Sequence, residues 1–362
     1  MKKNREHILL LTFLTILYNG FAQETTFFNA DGFFSIGTQS NRTASITLSD
    51  IDQDGDLDAL VANGRHWAEQ NYIYYNDGKG RFKLAQPIGK YLNASYSVKS
   101  ADLNNDGYMD IAVANDNIPN EIYFGSVNQT FVKETSFGSI SPSRNLEIVD
   151  IDNDGDFDLI ISNRKSENEI CLNDGKGNFK NIVTFGNKSD QTIQTKAVDI
   201  NKDGFLDLIT AERRTKNKIY INDRKHNFTK TIEFGNEDQQ TRSIDIGDID
   251  KDGFLDIVTG NLGSKNSIYF GDKKLSFNRV FDFKTERNTS SIKVSDLNEL
   301  PRVIENFPIY SLDELSFPGW EVIFKNYTPK MKFLGSGPAI NINASRGCPY
   351  SCFYYCVYPL QQ

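Results

Sequence analysis

The chain has 362 residues and a formal net charge of −8, with 40 Lys and Arg against 48 Asp and Glu. Because there is no basic excess, a nucleic-acid partner has no electrostatic support. Hydrophobic residues make up 38% of the sequence, which is enough apolar material for the core of one or two domains. The acidic excess falls largely in recurring aspartate clusters, which bound cations would neutralise.

Residues 1–22 have the three parts of a secretory signal peptide. Three basic residues near the start precede an apolar run over residues 8–17, and Gly20 and Ala22 place small residues before a cleavage site at Gln23. The run is too short to span a bilayer as a mature helix, and a short hydrophobic helix of the fold is the alternative. No other long apolar run exists. We therefore expect no membrane span and a secreted, periplasmic or cell-surface location.

An aspartate-rich nonapeptide recurs five times along the chain. Its copies begin at Asp50, Asp102, Asp150, Asp199 and Asp248, at intervals of 52, 48, 49 and 49 residues. A second landmark, N-x-I followed by Tyr or Cys, keeps step with it, and so does an aromatic residue or Ile before Gly, as at Phe137–Gly138. Self-similarity at such a period indicates a repeat architecture.

Four short strands are predicted within each unit. In the third unit they fall at about residues 143–151, 157–163, 168–173 and 178–186, with an Asp-Gly-Lys-Gly turn between the last two. Four strands in about 49 residues are typical of the blade of a β-propeller, whose radial packing leaves few exposed sheet edges. A parallel β-helix is the alternative, but its coils are about half as long. The prediction is an all-β propeller with five complete four-stranded blades.

The propeller is predicted to occupy residues 23–296. The stretch 27–37 resembles the fourth strand of a blade whose other strands lie elsewhere, and a sixth unit begins at Ser290 but loses the Asp-Gly step at residues 299–301. Propellers commonly close by letting one terminus complete the blade of the other. We therefore expect a ring truncated from seven blades.

Each aspartate loop has the composition of a calcium site. The first loop offers Asp50, Asp52, Asp54 and Asp58 at positions 1, 3, 5 and 9, and the carbonyl of Asp56 at position 7. Calcium takes six to eight hard oxygen ligands, and an EF-hand would need Glu at position 12. That position is occupied by Val, Ile or Thr in the five copies, so these are strand–loop–strand sites. The alternative is a set of Asp/Gly-rich turns that only cap strands.

The same positions in all five copies give the predicted metal ligands. They are Asp50, Asp52, Asp54, Asp56 and Asp58; Asp102, Asn104, Asp106 and Asp110; Asp150, Asp152, Asp154, Asp156 and Asp158; Asp199, Asn201, Asp203 and Asp207; and Asp248, Asp250, Asp252 and Asp256. About five Ca²⁺ ions are expected, which would change the formal charge of −8 to +2.

The D-x-[DN]-x-D-G-x-x-D loop at a propeller period, followed by N-x-I-Y, resembles FG-GAP/VCBS repeats. These repeats build the propeller of integrin α-subunits and occur in many secreted bacterial proteins. The resemblance covers about residues 27–296. It implies a seven-bladed, calcium-bearing propeller used for adhesion or for binding carbohydrate or protein, and it implies that the aspartates and asparagines above are calcium ligands.

Residues 297–362 differ in character from the repeats. The segment L-D-E-L-x-F-P-x-W followed by S-R-G-C-P-Y-x-C resembles radical SAM enzymes of the cobalamin-binding type. It implies that Cys348, Cys352 and Cys356 match the thiolates of a [4Fe–4S] cluster that binds S-adenosylmethionine. The spacing of the last two cysteines has one extra residue and no barrel follows. We therefore expect an irregular fused fragment without a working cluster, with cysteine pairing after export as the alternative.

The remaining chemistry-bearing residues are few. His66 and Trp67 lie in the longest loop of a blade, where Trp67 could stack on a sugar or pack against a neighbouring blade. Cys171 replaces the Tyr of the N-x-I-Y landmark and is expected in the core. No acid/base pair or nucleophile–His arrangement stands outside the loops. The expected function is a binding module for an extracellular glycan or protein, not an enzyme; a secreted polysaccharide-active enzyme and a truncated radical SAM enzyme are the alternatives.

Overall fold

The computed structural model describes residues 36–37, 40–225, 227–295 and 341–343. They belong to one compact unit, Gly32–Ser295 with Phe307–Gln362, whereas the other unit, Met1–Asp31 with Asp296–Asn306, lies outside the described residues. The predicted signal peptide and the predicted boundaries at residues 22 and 296 also lie outside them. None of the described residues belongs to a helix, and hence none to a helix that could span a membrane.

The described residues form 21 β-strands. They are β1 (Thr43–Ser49), β2 (Asp58–Asn63), β3 (Glu69–Asn76), β4 (Phe82–Asn93), β5 (Ser95–Ala101), β6 (Asp110–Asn115), β7 (Asn120–Phe124), β8 (Val132–Phe137), β9 (Ser143–Val149), β10 (Asp158–Asn163), β11 (Asn168–Leu172), β12 (Asn181–Phe185), β13 (Thr192–Val198), β14 (Asp207–Glu212), β15 (Asn217–Ile221), β16 (Lys230–Phe234), β17 (Thr241–Gly247), β18 (Asp256–Phe270), β19 (Arg279–Asn288), β20 (Ser291–Lys293) and β21 (Asn341–Asn343).

The strands pair in chain order into antiparallel blades. The sheets are β1–β4, β5–β8, β9–β12, β13–β16 and β17–β19, and the pairing in each is antiparallel throughout. This pairing excludes the parallel β-helix. The second strand of every blade, such as DLIISN in β10, is buried along its whole length because blade neighbours cover both of its faces.

The fifth blade contains three strands where four were predicted. β18 spans the positions of the second and third strands of the other blades, and the Asn261 amide donates to Asn266 Oδ1 at 2.8 Å, as the Asn163 amide does to Asn168 Oδ1. The long β19 reaches back to pair with the residues between them, including Leu262 with Asn288. The second and third strands are therefore joined into the single strand β18, and the order of strand pairing in the blade is the same as in the others.

The Phe-Gly landmark forms the contact between successive blades. Phe185 packs edge to face on Tyr220 of the next blade at a centroid distance of 5.3 Å, and Phe234 packs on Tyr269 at 5.1 Å. The following glycine has a positive φ of 81° at Gly235, and the Tyr269 hydroxyl lies 3.2 Å from where its Cβ would be. The Phe-Gly pair thus packs against the tyrosine of N-x-I-Y in the next blade, as Phe234 and Gly235 do against Tyr269, and we call this packing contact the seat.

The first strands of the blades lie side by side. β1 contacts β5, β5 contacts β9, β9 contacts β13, β13 contacts β17, and β17 contacts β20. Side chains bond across these junctions, as Thr47 Oγ1 does to the Val98 carbonyl at 2.7 Å and Ser162 to Thr195 at 2.7 Å. Four-stranded antiparallel blades arranged in this way confirm the predicted all-β propeller.

The described residues include the first strand of the sixth unit, β20. The Ile292 amide donates to Ser243 Oγ at 3.1 Å, as expected for the start of another blade. The tail was expected to be irregular, but Ile292 pairs with Ile342 in the short strand β21. Most of the predicted leading strand at 27–37 lies outside the described residues; its Gly37 lies against Tyr74 in the same way that Gly235 lies against Tyr269.

Gly235 and Gly263 have similar φ angles but different surroundings, so substituting each of them tests whether the seat is closely packed. Gly263 has a φ of 71° and no atom within 4 Å of its Cβ position, whereas the Cβ of residue 235 would meet Gln239 Oε1 at 2.9 Å. Gly235→Ala should therefore destabilise the protein by at least about 1 kcal/mol more than Gly263→Ala, because only the former adds crowding to backbone strain. Urea unfolding in calcium measures the difference, and equal losses would show that the seat is not closely packed.

Candidate metal centres

The five aspartate loops join the first and second strands of successive blades. Each loop bends at a residue in the left-handed region, such as Gln53 with φ 61°, and again at Gly55 with φ 96°. The other four loops repeat this pair of conformations. Two such bends within three residues turn the side chains of positions 1, 3 and 5 toward the inside of the loop.

The carboxylates of each loop accept hydrogen bonds from backbone amides of the same loop. In the first loop, the Gly55 amide donates to Asp50 Oδ2 at 3.1 Å, and the Asp56 amide donates to Asp54 Oδ1 at 2.9 Å. The third loop has the same bonds, from Gly155 to Asp150 at 3.0 Å and from Asp156 to Asp154 at 3.0 Å. These side-chain to backbone bonds shape the loop before any ion is considered.

The aspartate at position 9 connects the loop to the third strand. Asp58 Oδ2 accepts the Ile51 amide at 3.2 Å, and its Oδ1 accepts the Asn76 amide at 2.7 Å. Asp158 binds the amides of Ile151 and Asn173 at 3.0 and 2.8 Å. This residue is at most 1% exposed in all five loops. Sequence reasoning predicted this residue as a ligand and missed that it also joins the loop to the third strand. We call it the latch aspartate.

Three loops bring three carboxylates together. One oxygen from each of positions 1, 3 and 9 lies within 4.8 Å of the others, and such a group could hold a metal ion. The three groups are Asp50, Asp52 and Asp58; Asp150, Asp152 and Asp158; and Asp248, Asp250 and Asp256. Carboxylates at this separation repel one another unless a cation or a proton lies between them. The position-5 aspartates, predicted as ligands, lie outside these three groups.

The second and fourth loops have an asparagine at position 3. The amide oxygens of Asn104 and Asn201 accept the position-5 amides at 3.1 and 2.8 Å, so the loop shape is kept with one charge fewer. Asp207 Oδ2 in the fourth loop and Asp50 Oδ1 in the first are buried, and neither has a hydrogen-bond donor among the residues that the structure describes. A buried oxygen without a donor is a site where a bound cation fits the residues present.

Burial sets the charge state of the latch aspartates. Burial raises the pKa of Asp158 to about 7, and the negative charges of Asp152 and Asp154 add to it, against the two amides that Asp158 accepts. The pKa values of Asp58, Asp110, Asp207 and Asp256 are raised to about 6 for the same main reason. Burial also raises the pKa of Asp52.

Other charged groups compete for some of the predicted ligands. The guanidinium of Arg279 forms an ion pair with Asp250 and lies over the ring of Phe270 at 4.0 Å. Arg224 lies 3.7 Å from Asp203 in the fourth loop. The side chain of Asp156 accepts Asn105 Nδ2 at 2.6 Å, so it is used outside its own loop, and its predicted contribution is the backbone carbonyl.

The cysteines divide between core and undescribed tail. Cys171 is fully buried, and burial raises the pKa of its thiol, as expected of a core residue. Cys348, Cys352 and Cys356, predicted as remnants of an iron–sulfur motif, lie outside the described residues.

The loops recur in the segments that match a known family. The FG-GAP-like repeat matches residues 50–113, 102–161, 150–210 and 199–259. The chain belongs to the FG-GAP-like repeat family. Each matched segment begins at the first aspartate of one loop and ends in the second strand of the next blade, so it includes two complete loops.

Comparison with solved structures finds chains that are similar to this one at low sequence identity. BBS1N in its complex with ARL6DN shares 12% identity over 71% of this chain and 74% of that one, with a TM-score of 0.49. The Dos1 propeller shares 10% over 71% and 64%, with a TM-score of 0.48. The V. cholerae biofilm matrix protein Bap1 shares 14% over 67% and 40%, with a TM-score of 0.43. No curated protein matches the chain.

The raised pKa values predict opposite effects of pH with and without metal. Between about pH 4 and 7 the metal-free folded chain binds more protons than the unfolded chain, so its stability falls as the pH rises through that window. Calcium requires the ionised form, so the stabilisation it adds grows over the same window.

Melting temperatures in EDTA and in calcium, each at about pH 5 and pH 7.5, measure both effects. The difference between the melting temperatures in calcium and in EDTA should be larger at the higher pH. A metal-free chain that melts higher at pH 7.5 would contradict the assignment of burial as the dominant effect on these aspartates.

Proposed function

We propose that the chain is a secreted calcium-binding propeller that acts as a binding module for an extracellular glycan or protein. Residues 1–22 support export, and the FG-GAP-like repeats support the module. The observation that carries the calcium assignment is the approach of three carboxylates within 4.8 Å in three loops. Their hard, flexible oxygen donors suit Ca²⁺ better than metals that prefer nitrogen or sulfur.

Calcium is proposed to have a structural role in this module. Each ion would lie where the end of the first strand, the start of the second and, through the latch aspartate, the third strand meet. Binding would remove carboxylate repulsion at that junction, and the gain in stability follows by mass action. The second and fourth loops, with Asn104 and Asn201, and the fifth, with Asp250 paired to Arg279, should bind more weakly than the first and third.

A secreted polysaccharide-active enzyme is the second candidate, favoured by one group of side chains. His66 Nδ1 lies 2.7 Å from Asp116 Oδ2, and the Tyr96 hydroxyl lies 3.0 Å from His66 Nε2. Sequence reasoning missed this group because its members are 20 to 50 residues apart. Asp116 is already paired with Arg144 at 2.8 Å, so its carboxylate is not dedicated to the imidazole as a catalytic dyad would require. Binding without turnover is therefore the preferred proposal.

Removing one carboxylate should remove one ion. Asp152→Ala should lower the calcium stoichiometry by one and lower the melting temperature in calcium, while leaving the melt in EDTA unchanged or raised, because repulsion is relieved. At calcium one hundred times the dissociation constant, the lost site is worth about 2.7 kcal/mol.

Asp174→Ala is the matched control for that variant. Asp174 belongs to the same blade, but its exposed carboxylate bonds only within its own turn, to Lys176 and Asn178. Native mass spectrometry and calorimetry in calcium count the ions. Full stoichiometry in Asp152→Ala, or a melt of the unmodified chain that EDTA does not change, would contradict the calcium proposal.

The binding proposal predicts that the chain binds its ligand only when calcium stabilises the folded blades, and that calcium does not itself contact the ligand. The chain should bind members of an array of glycans and extracellular proteins in millimolar calcium and should lose that binding in EDTA. His66→Ala should retain binding, since the imidazole has no role in a module that does not turn its ligand over. Release of shortened polysaccharide by the unmodified chain and not by His66→Ala would favour the enzyme instead.

A further inference from the structure

Arginines gather at the end of the blades opposite the aspartate loops. Since the loops join the first and second strands of antiparallel blades, the residues after each second strand emerge at the other end. Arg164 and Arg213 directly follow the second strands of the third and fourth blades, and Arg65 lies two residues after the second strand of the first blade. Backbone bridges tie Arg164 to Gln191 and Arg213 to Gln240 at the start of the next blade, so these residues lie between the first strands of neighbouring blades.

Two further arginines come from the first strands themselves. Arg144 and Arg242 are the second residues of β9 and β17, at the same end. Burial lowers the pKa of Arg242, and the charges of Arg213, Arg65 and Arg164 lower it further, as expected for side chains at the same end of the blades. We call Arg65, Arg144, Arg164, Arg213 and Arg242 the arginine cluster.

The arginine cluster has more positive charge than its surroundings neutralise. Arg144 is ion-paired to Asp116 at 2.8 Å, and the other oxygen of that carboxylate is 2.7 Å from His66. Among the residues that the structure describes, no ion pair is formed by the other four arginines. An anion bound among these side chains would offset the repulsion between their like charges.

One member of the cluster also has an unsatisfied donor. Arg164 Nε is buried and has no hydrogen-bond partner among the described residues. Buried donors are almost always paired, and the usual explanation for an exception is a bound ion or water. A guanidinium offers parallel N–H donors that match the two oxygens of a carboxylate. An anion with that shape would satisfy the donor and balance the charge.

Exposed aromatic rings lie beside the cluster on the first blade. Trp67, two residues after Arg65, is 61% exposed, and the guanidinium of Arg42 lies 5.2 Å from its ring centroid. Tyr91, on β4, is 75% exposed. The structure therefore places Trp67 in solvent and not against a neighbouring blade. Flat exposed rings of this kind pack well on the C–H face of a sugar.

We propose that the arginine cluster and Trp67 bind a carboxylated polysaccharide, with the guanidinium groups on its carboxylates and the indole on a sugar face. The inference rests on the proposed function as a binding module and names its ligand class. Acidic peptides share the carboxylates but have no rigid sugar face to cover Trp67, so the glycan is favoured.

Short oligouronates provide the test. Calorimetry in millimolar calcium compares trigalacturonate with its methyl ester, which keeps the sugar and removes the charge. The ester should bind at least about tenfold more weakly, and the double variant Arg164→Gln/Arg213→Gln should weaken binding of trigalacturonate by a similar factor. Trp67→Ala should weaken it several-fold.

The double variant Lys180→Gln/Lys230→Gln is the matched control. It removes the same charge from exposed positions at the start of the fourth strands of the same two blades, at the aspartate end, and should bind like the unmodified chain. Equal binding of acid and ester, equal losses in both double variants, or tighter binding of a hexaglutamate peptide would overturn the inference.

Melting in calcium separates this inference from the proposed function. A chain that calcium stabilises but that does not bind trigalacturonate would overturn the ligand assignment and leave the calcium module intact. A chain that calcium does not stabilise would contradict the proposed function, whatever the oligouronate result. Each variant must melt as the unmodified chain does in calcium for its affinity to be compared.

Discussion

The buried aspartate at the end of each loop is the interaction on which the blades depend. Asp58 and its four equivalents are at most 1% exposed; each accepts a backbone amide at the end of the third-strand segment, and all but Asp207 also accept an amide from the loop. A buried carboxylate that accepts two amides costs free energy unless its charge is balanced. The position-1 and position-3 side chains increase that cost in the three loops where they gather, so a cation or a proton at the point where three strands meet lowers it.

Charge is divided between the two ends of the blades. The aspartate loops concentrate negative charge at one end, and the arginine cluster concentrates positive charge at the other, although the whole chain has a net charge of only −8. If the first end binds cations as proposed, its negative charge is neutralised and the positive charge of the arginine cluster remains. An anionic ligand is then attracted toward the end that does not bind metal.

The sequence predicted the repeats well because their signals are local. Strand positions, the aspartate loops and the Phe-Gly landmark are visible within nine to fifteen residues, and the structure confirms the all-β propeller. Contacts between distant residues were not predictable in the same way. The bond from Asp58 to Asn76, the pairing of Arg279 with Asp250 and the contact of His66 with Asp116 join residues 18 to 50 positions apart.

The arginine cluster could have been found by aligning the repeats. The residue after the second strand is Arg164 and Arg213 in the third and fourth blades, but Gly64, Asp116 and Leu262 in the others, and Arg65 lies one position later than its counterparts. The incomplete periodicity hid the pattern, and the members from β9 and β17 belong to a different register position. Only the arrangement of neighbouring first strands shows that both sets share one end.

The seat between blades puts the sequence repeat out of phase with the structural blade. Each matched segment, such as residues 50–113, starts in one blade and ends in the next, so it includes the Phe-Gly seat together with the second strand that packs beyond it. Seat and tyrosine lie on successive blades, as Phe185 and Tyr220 do, so an interface is made only when one repeat follows another. An array that gains or loses one whole period keeps a complementary partner at such a junction, whichever point of the repeat is taken as its start.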